Sequence, residues 1–92
     1  MKIVVNRCWG GFSLSDEACT LLNCETYDYI NPEMRNDFNL ISAVETLGKD
    51  ANGLHANLVV KEISDEATDY TIIDYDGMEN IVYVVNGKLY IM

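Results

Sequence analysis

Ninety-two residues with 49% hydrophobic content and one proline leave room for a single folded domain, residues 1–92, and are too apolar for a disordered chain. Fifteen Asp and Glu against six Lys and Arg give a formal charge of −9, which argues against a nonspecific grip on nucleic-acid phosphates or anionic lipid. No apolar run approaches the roughly 18 residues of a membrane span, and Asn6 and Arg7 interrupt the opening Met1-Lys2-Ile3-Val4-Val5 before a signal-peptide pattern forms, so a cytoplasmic protein is expected.

Lys2 to Asn6, with β-branched Ile3, Val4 and Val5, reads as a buried first strand, after which Gly10-Gly11 turns the chain. Ser15 followed by Asp16 and Glu17 starts a helix, with Leu14 and Cys19 placed as a hydrophobic staple, and the helix ends near Asn23 or Cys24. Glu25 to Asn36 is a polar, aromatic loop of the length that often carries function. Asp37 caps a second helix in which Leu40, Ile41, Val44 and Leu47 recur at helical spacing, and Gly48 closes it. Asn52-Gly53 turns into an alternating strand through Leu54, Ala56, Leu58 and Val60. A charged connection, Ser64 to Asp69, leads to a strand at Tyr70 to Tyr75; Asp76-Gly77 turns it toward Asn80 to Val85, and Asn86-Gly87 folds Lys88 to Ile91 back as a hairpin. The order is strand, helix, helix, then about four strands, which implies an α+β fold: an N-terminal strand, two helices, then an antiparallel β-meander with a C-terminal hairpin, the helices packed on one sheet face. A core this small gains from self-association, so a homo-oligomer is an option.

The segments Met1 to Ser15 (MKIVVNRCWGGFSLS), Arg35-Asn36-Asp37, Val44-Glu45-Thr46-Leu47-Gly48 and Tyr75-Asp76-Gly77-Met78-Glu79 together resemble a family of small bacteriophage and prophage proteins to which no reaction is attached. The likeness runs from Met1 to about Glu79, and the chain departs from it where Phe38 and Ser64 stand in place of prolines. Proline at the first helical position is helpful and not required, so the fold is unaffected. The resemblance implies a mobile-element setting, in which small acidic accessory proteins bind host components, including those of antiviral defence.

Both arginines fall in loops rich in aromatics: Arg7 with Trp9, Gly10, Gly11 and Phe12, and Arg35 with Tyr27 and Tyr29. Glycines admit close backbone approach, arginine grips phosphate or carboxylate with a planar fork, and aromatic rings stack a base, so the set can hold an anionic, nucleotide-like ligand. The plainer alternative is a glycine turn feeding a helix, with Trp9 and Phe12 in the core and Arg35 paired to Asp37 or Glu33. On the ligand reading, Arg35→Ala removes binding and spares the fold.

A second constellation is the acidic stretch Glu62, Asp65, Glu66, Asp69, Asp74, Asp76 and Glu79, with no Lys or Arg among residues 62–79; it is either a solvated face or a surface for a basic groove on another protein. Asp74 and Asp76 alone lack the further ligands of a calcium loop. Cys8, Cys19, Cys24 and His55 lack the spacing of a zinc site, and an odd set of three cysteines fits a reducing compartment, so no metal and no cofactor is implied. No nucleophile, base and orienting group stand at a recognisable spacing, which ranks an enzyme last. The first expectation is therefore a non-enzymatic phage-type binder that counters host defence by sequestering a nucleotide-like signal. The alternative is an acidic inhibitor of a host defence or nucleic-acid-binding protein.

Overall fold

Ile3, Val4 and Val5 are fully buried because their strand is covered on both faces. In the computed structural model, which describes residues 1–92, β1 (Lys2–Asn6) pairs antiparallel with β2 (Leu58–Glu62), with Val4 opposite Val60. Side chains alternate across a strand, so Val4 faces one layer while Ile3 and Val5 face another. Val4 and Leu58 pack with Leu14, Ala18, Leu40 and Val44 of a helical layer, whereas Ile3 and Val5 pack with Ile63 and Ile81 on the opposite side.

The helical layer holds α1 (Asp16–Leu22) and α2 (Phe38–Leu47). The Ser15 side chain accepts from the Ala18 amide, and Asn23 closes α1 in the left-handed conformation. Asp37 caps α2 by accepting from the Leu40 amide at 3.1 Å and also accepts from the Tyr29 hydroxyl at 3.4 Å. Asp37→Ala is therefore expected to cost about 1 kcal/mol, the usual worth of an N-cap, read as a lowered unfolding midpoint. The loop between the helices contains two 3-10 turns, Thr26–Tyr29 and Pro32–Met34.

On the far side of β1 and β2 lies a three-stranded antiparallel sheet of β3 (Asp69–Tyr75), β4 (Met78–Val85) and β5 (Lys88–Ile91), ordered β3-β4-β5. Both hairpins have two-residue turns, Asp76-Gly77 and Asn86-Gly87, with positive φ at both central positions, the geometry that suits the twist of paired strands. Helices, two-stranded sheet and three-stranded sheet thus form three layers of an α+β fold.

Two expectations are corrected. Four strands follow the helices as expected, but the first of them begins at Leu58 rather than Leu54 and pairs with β1, so the meander is β3-β4-β5. Leu54 and His55 form a turn: His55 takes a positive φ of 61°, the Ala56 amide donates to the Gly53 carbonyl, and Leu54 is 81% exposed. Asn52 forms an isolated bridge with Leu14, and its side chain accepts from the Leu58 amide at 2.7 Å. The helices do share one sheet face, that of β1 and β2, and the meander covers the other.

Candidate functional site

One edge of β1 is occupied by β2, and reciprocal pairing there leaves the amides and carbonyls of Val4 and Asn6 aimed at the other edge. No strand meets them. The Val4 amide donates to the Arg35 carbonyl at 2.9 Å, the Val4 carbonyl accepts from Arg35 Nη1 at 3.3 Å, and the Asn6 amide donates to Glu79 Oε1 at 2.7 Å. Arg35 and Glu79 stand in for a missing strand.

The guanidinium of Arg35 grips the Glu79 carboxylate with two parallel bonds, Nη1 to Oε1 at 2.6 Å and Nη2 to Oε2 at 2.8 Å. Its Nε donates to the Tyr29 carbonyl at 2.6 Å and its Nη2 to the Ile30 carbonyl at 2.9 Å, while the Phe12 ring stacks 3.8 Å from its central carbon. Every donor of the fork is thereby engaged, and Arg35 is 1% exposed, Glu79 3%. Arg7 joins from the other loop, donating from Nη1 to the Glu79 carbonyl at 2.8 Å and to Asn80 Oδ1 at 2.6 Å. Asn6 completes the cluster: Nδ2 donates to the carbonyls of Cys8 and Gly77, and Oδ1 accepts from the Asn57 amide.

The two arginine loops do meet, and the anion between them is the chain's own Glu79. Arg35 pairs neither with Asp37 nor with Glu33, and it has no donor left for a ligand. Arg35→Ala, expected from the sequence to spare the fold, removes the hub of a buried network instead. Of the two site glycines, Gly10 serves internal packing, whereas Gly11 has open space beside it and supplies a positive φ of 92° to the turn. A Cβ at Gly10 would collide with the Cβ and carbonyl of His55, and one at Gly77, where φ is +92°, with the Trp9 carbonyl and the Gly11 amide. Of the aromatics, Tyr29 is buried, Phe12 is half-buried on Arg35, and Tyr27 and Trp9 are exposed; Trp9 meets Tyr75 edge-on with centroids 6.0 Å apart.

Glu79 also leaves the acidic surface, since it lies in the core. Glu62, Asp65, Glu66, Asp69, Asp74 and Asp76 remain exposed. Asp69 and Asp74 are carried by β3, a sheet edge, and Asp76 by the turn that follows it. The surface hollows are open, and none has Lys or Arg in its lining. Burial and neighbouring Cys19 push the Cys24 thiol up to about 11, which keeps it protonated near neutrality. His55 sits in the left-handed turn and not on a strand, and no three His, Cys, Asp or Glu side chains converge as a metal site would need. No helix is long and apolar enough to cross a membrane. No family model matches the chain, and no curated protein or solved structure does.

The Arg35–Glu79 pair escaped sequence reasoning because its members lie 44 residues apart. A signal was present nonetheless: Glu79 shares its strand face with Ile81 and Tyr83, and a carboxylate on an apolar face requires a buried cation.

Proposed function

We propose that this protein is a non-enzymatic binding protein that docks, through its acidic surface, on a basic site of another protein. The observation that carries this reading is the distribution of charge. Six carboxylates between Glu62 and Asp76 are exposed with no Lys or Arg among them; the N-terminal ammonium pairs with Asp65 and lies 4.0 Å from Glu62, while Glu66, Asp69, Asp74 and Asp76 have no cationic partner and the cations elsewhere are largely engaged at home. Arg35 is bound to Glu79, Lys2 pairs with Glu45 at 2.9 Å, and Arg7 is held by Asn80 and the Glu79 carbonyl, which leaves Lys49, Lys61 and Lys88 outside such contacts. A surface of one sign steers an oppositely charged partner at long range and repels nucleic acid. The resemblance to phage proteins makes a host defence or nucleic-acid-binding protein the partner class.

Sequestration of a nucleotide is the weaker reading, because Arg35 already holds the Glu79 carboxylate and Arg7 is bonded to the Glu79 carbonyl and Asn80 Oδ1. The two are separated by capture from a bacterial lysate, alongside native mass spectrometry with a nucleotide panel. Glu66→Lys with Asp69→Lys moves the net charge from −9 to −5 and, both sites being exposed, leaves the fold unchanged. The variant is expected to capture its partner about tenfold more weakly, with a shallower salt dependence. Equal capture by both proteins, or a retained nucleotide, would overturn the proposal.

A further inference from the structure

Side chains of the three-stranded sheet alternate between two faces, and only one is covered. Tyr70, Ile72, Ile81 and Tyr83 pack inward around β1 and β2. The opposite face carries Ile73 and Tyr75 from β3, Val82 and Val84 from β4, and Leu89 and Ile91 from β5, placed side by side by the register Thr71–Val82, Val84–Leu89 and Val82–Ile91. Nothing in the fold lies over it: Ile73 is 50% exposed, Tyr75 71%, Leu89 72% and Ile91 74%. Exposed Trp9, packed edge-on against Tyr75, extends the patch at one end.

We infer that this face is the interface of a homodimer, in which the three-stranded sheets of two copies pack face to face as a sandwich. The charge pattern identifies the occupant. In a chain of net charge −9, Asp69, at the end of β3, is the one carboxylate or cation that the three strands project from this face, and Arg7, the cation at its border, is already held by Asn80. A basic partner would find almost nothing to pair with there, whereas a second copy presents an equally neutral apolar surface. Covering these side chains on both copies removes on the order of 1,200 Å² from water, the lower end of the range for a specific protein pair. Aligned sheet packing about a two-fold axis satisfies both copies with the same residues. Of the exposed acids only Asp69 belongs to this face, at its rim, so this inference does not rest on the acidic docking reading.

The two contacts respond oppositely to salt. Docking on a basic partner weakens as salt rises, whereas pairing two copies of like charge through an apolar face strengthens, because screening removes their repulsion. Sedimentation equilibrium of the full chain is expected to show a monomer–dimer equilibrium that shifts toward dimer with added sodium chloride. Ile73→Lys with Leu89→Lys lowers the net negative charge, which would favour association if charge alone governed it, yet it is expected to weaken dimerisation about a hundredfold by loss of apolar burial. Both positions are exposed, and a native circular dichroism spectrum confirms the fold; Tyr27→Lys, exposed elsewhere, is expected to dimerise normally. A native chain that stays monomeric at every salt concentration overturns the inference, as does a dimer indifferent to the double substitution. Loss of lysate capture by that variant with dimerisation intact assigns the face to the other partner and overturns it equally.

Discussion

Glu79→Gln is expected to destabilise the protein by about 3–5 kcal/mol, the usual cost of removing one member of a buried ion pair. Gln fills nearly the same volume, so the loss does not come from a cavity. It comes from leaving the Arg35 guanidinium, 1% exposed, without the carboxylate that neutralises it. Arg35→Met is expected to be at least as severe, because the carbonyls of Val4, Tyr29 and Ile30 lose their donor together with Glu79. Against a total stability of about 5–15 kcal/mol, either change takes a large share. Replacing both residues, Arg35→Met with Glu79→Leu, is expected to cost less than the two single changes added together, since no charge is then left unpaired. Urea midpoints of the four proteins measure this directly. A Glu79→Gln midpoint equal to that of the native chain would mean that the pair is hydrated and that Arg35 remains open to a ligand.

What the sequence displayed clearly was local. Ser15 and Asp37 cap their helices within three residues of the amides they bind, and Asn86-Gly87 turns its hairpin with no help from elsewhere. What it concealed depends on distance or on competition. Asn6 and Glu79 are 73 positions apart, so nothing in either neighbourhood announces their bond. Leu54, Ala56, Leu58 and Val60 alternate as a strand would, yet only the last two sit in one, because His55 takes the left-handed conformation and packs on Gly10. Trp9 has the composition of a core residue and lies 57% exposed, since the turn carrying it is pinned by Gly10 and Gly77 at the rim of the sheet. The arginine loops carry the parts of an anion site, two forks with aromatics and glycines beside them. The fold closes that site on a carboxylate of its own. The grip binds β4 to β1, and the other acids of the stretch stay exposed.

Asn6→Asp is expected to turn this structural cluster into a pH-dependent weakness. Asn6 is fully buried, with Nδ2 donating to the Cys8 and Gly77 carbonyls at 2.7 Å each and Oδ1 accepting from Asn57 at 2.8 Å. An ionised carboxylate in its place would face two carbonyl oxygens at hydrogen-bond distance, beside the carboxylate of Glu79. The folded protein therefore favours the protonated acid, which still donates one bond, and the pKa of the new group rises above its unfolded value of about 3.9. Below that value both states hold the proton and the variant keeps most of its stability. As pH rises past it, the unfolded chain ionises first, and the variant loses up to about 1.4 kcal/mol per pH unit relative to the native protein until the folded acid ionises too. The deficit is thus expected to be small near pH 4 and to reach roughly 2–4 kcal/mol at neutrality, within the shift documented for buried carboxylates. Asn6→Leu, which loses the same bonds but has nothing to titrate, is expected to show a deficit nearly independent of pH. Urea midpoints of both variants and the native chain across that pH range decide the matter. Parallel profiles for Asp and Leu would mean that water reaches position 6 and that the edge of β1 is solvated, contrary to the closed network around Glu79.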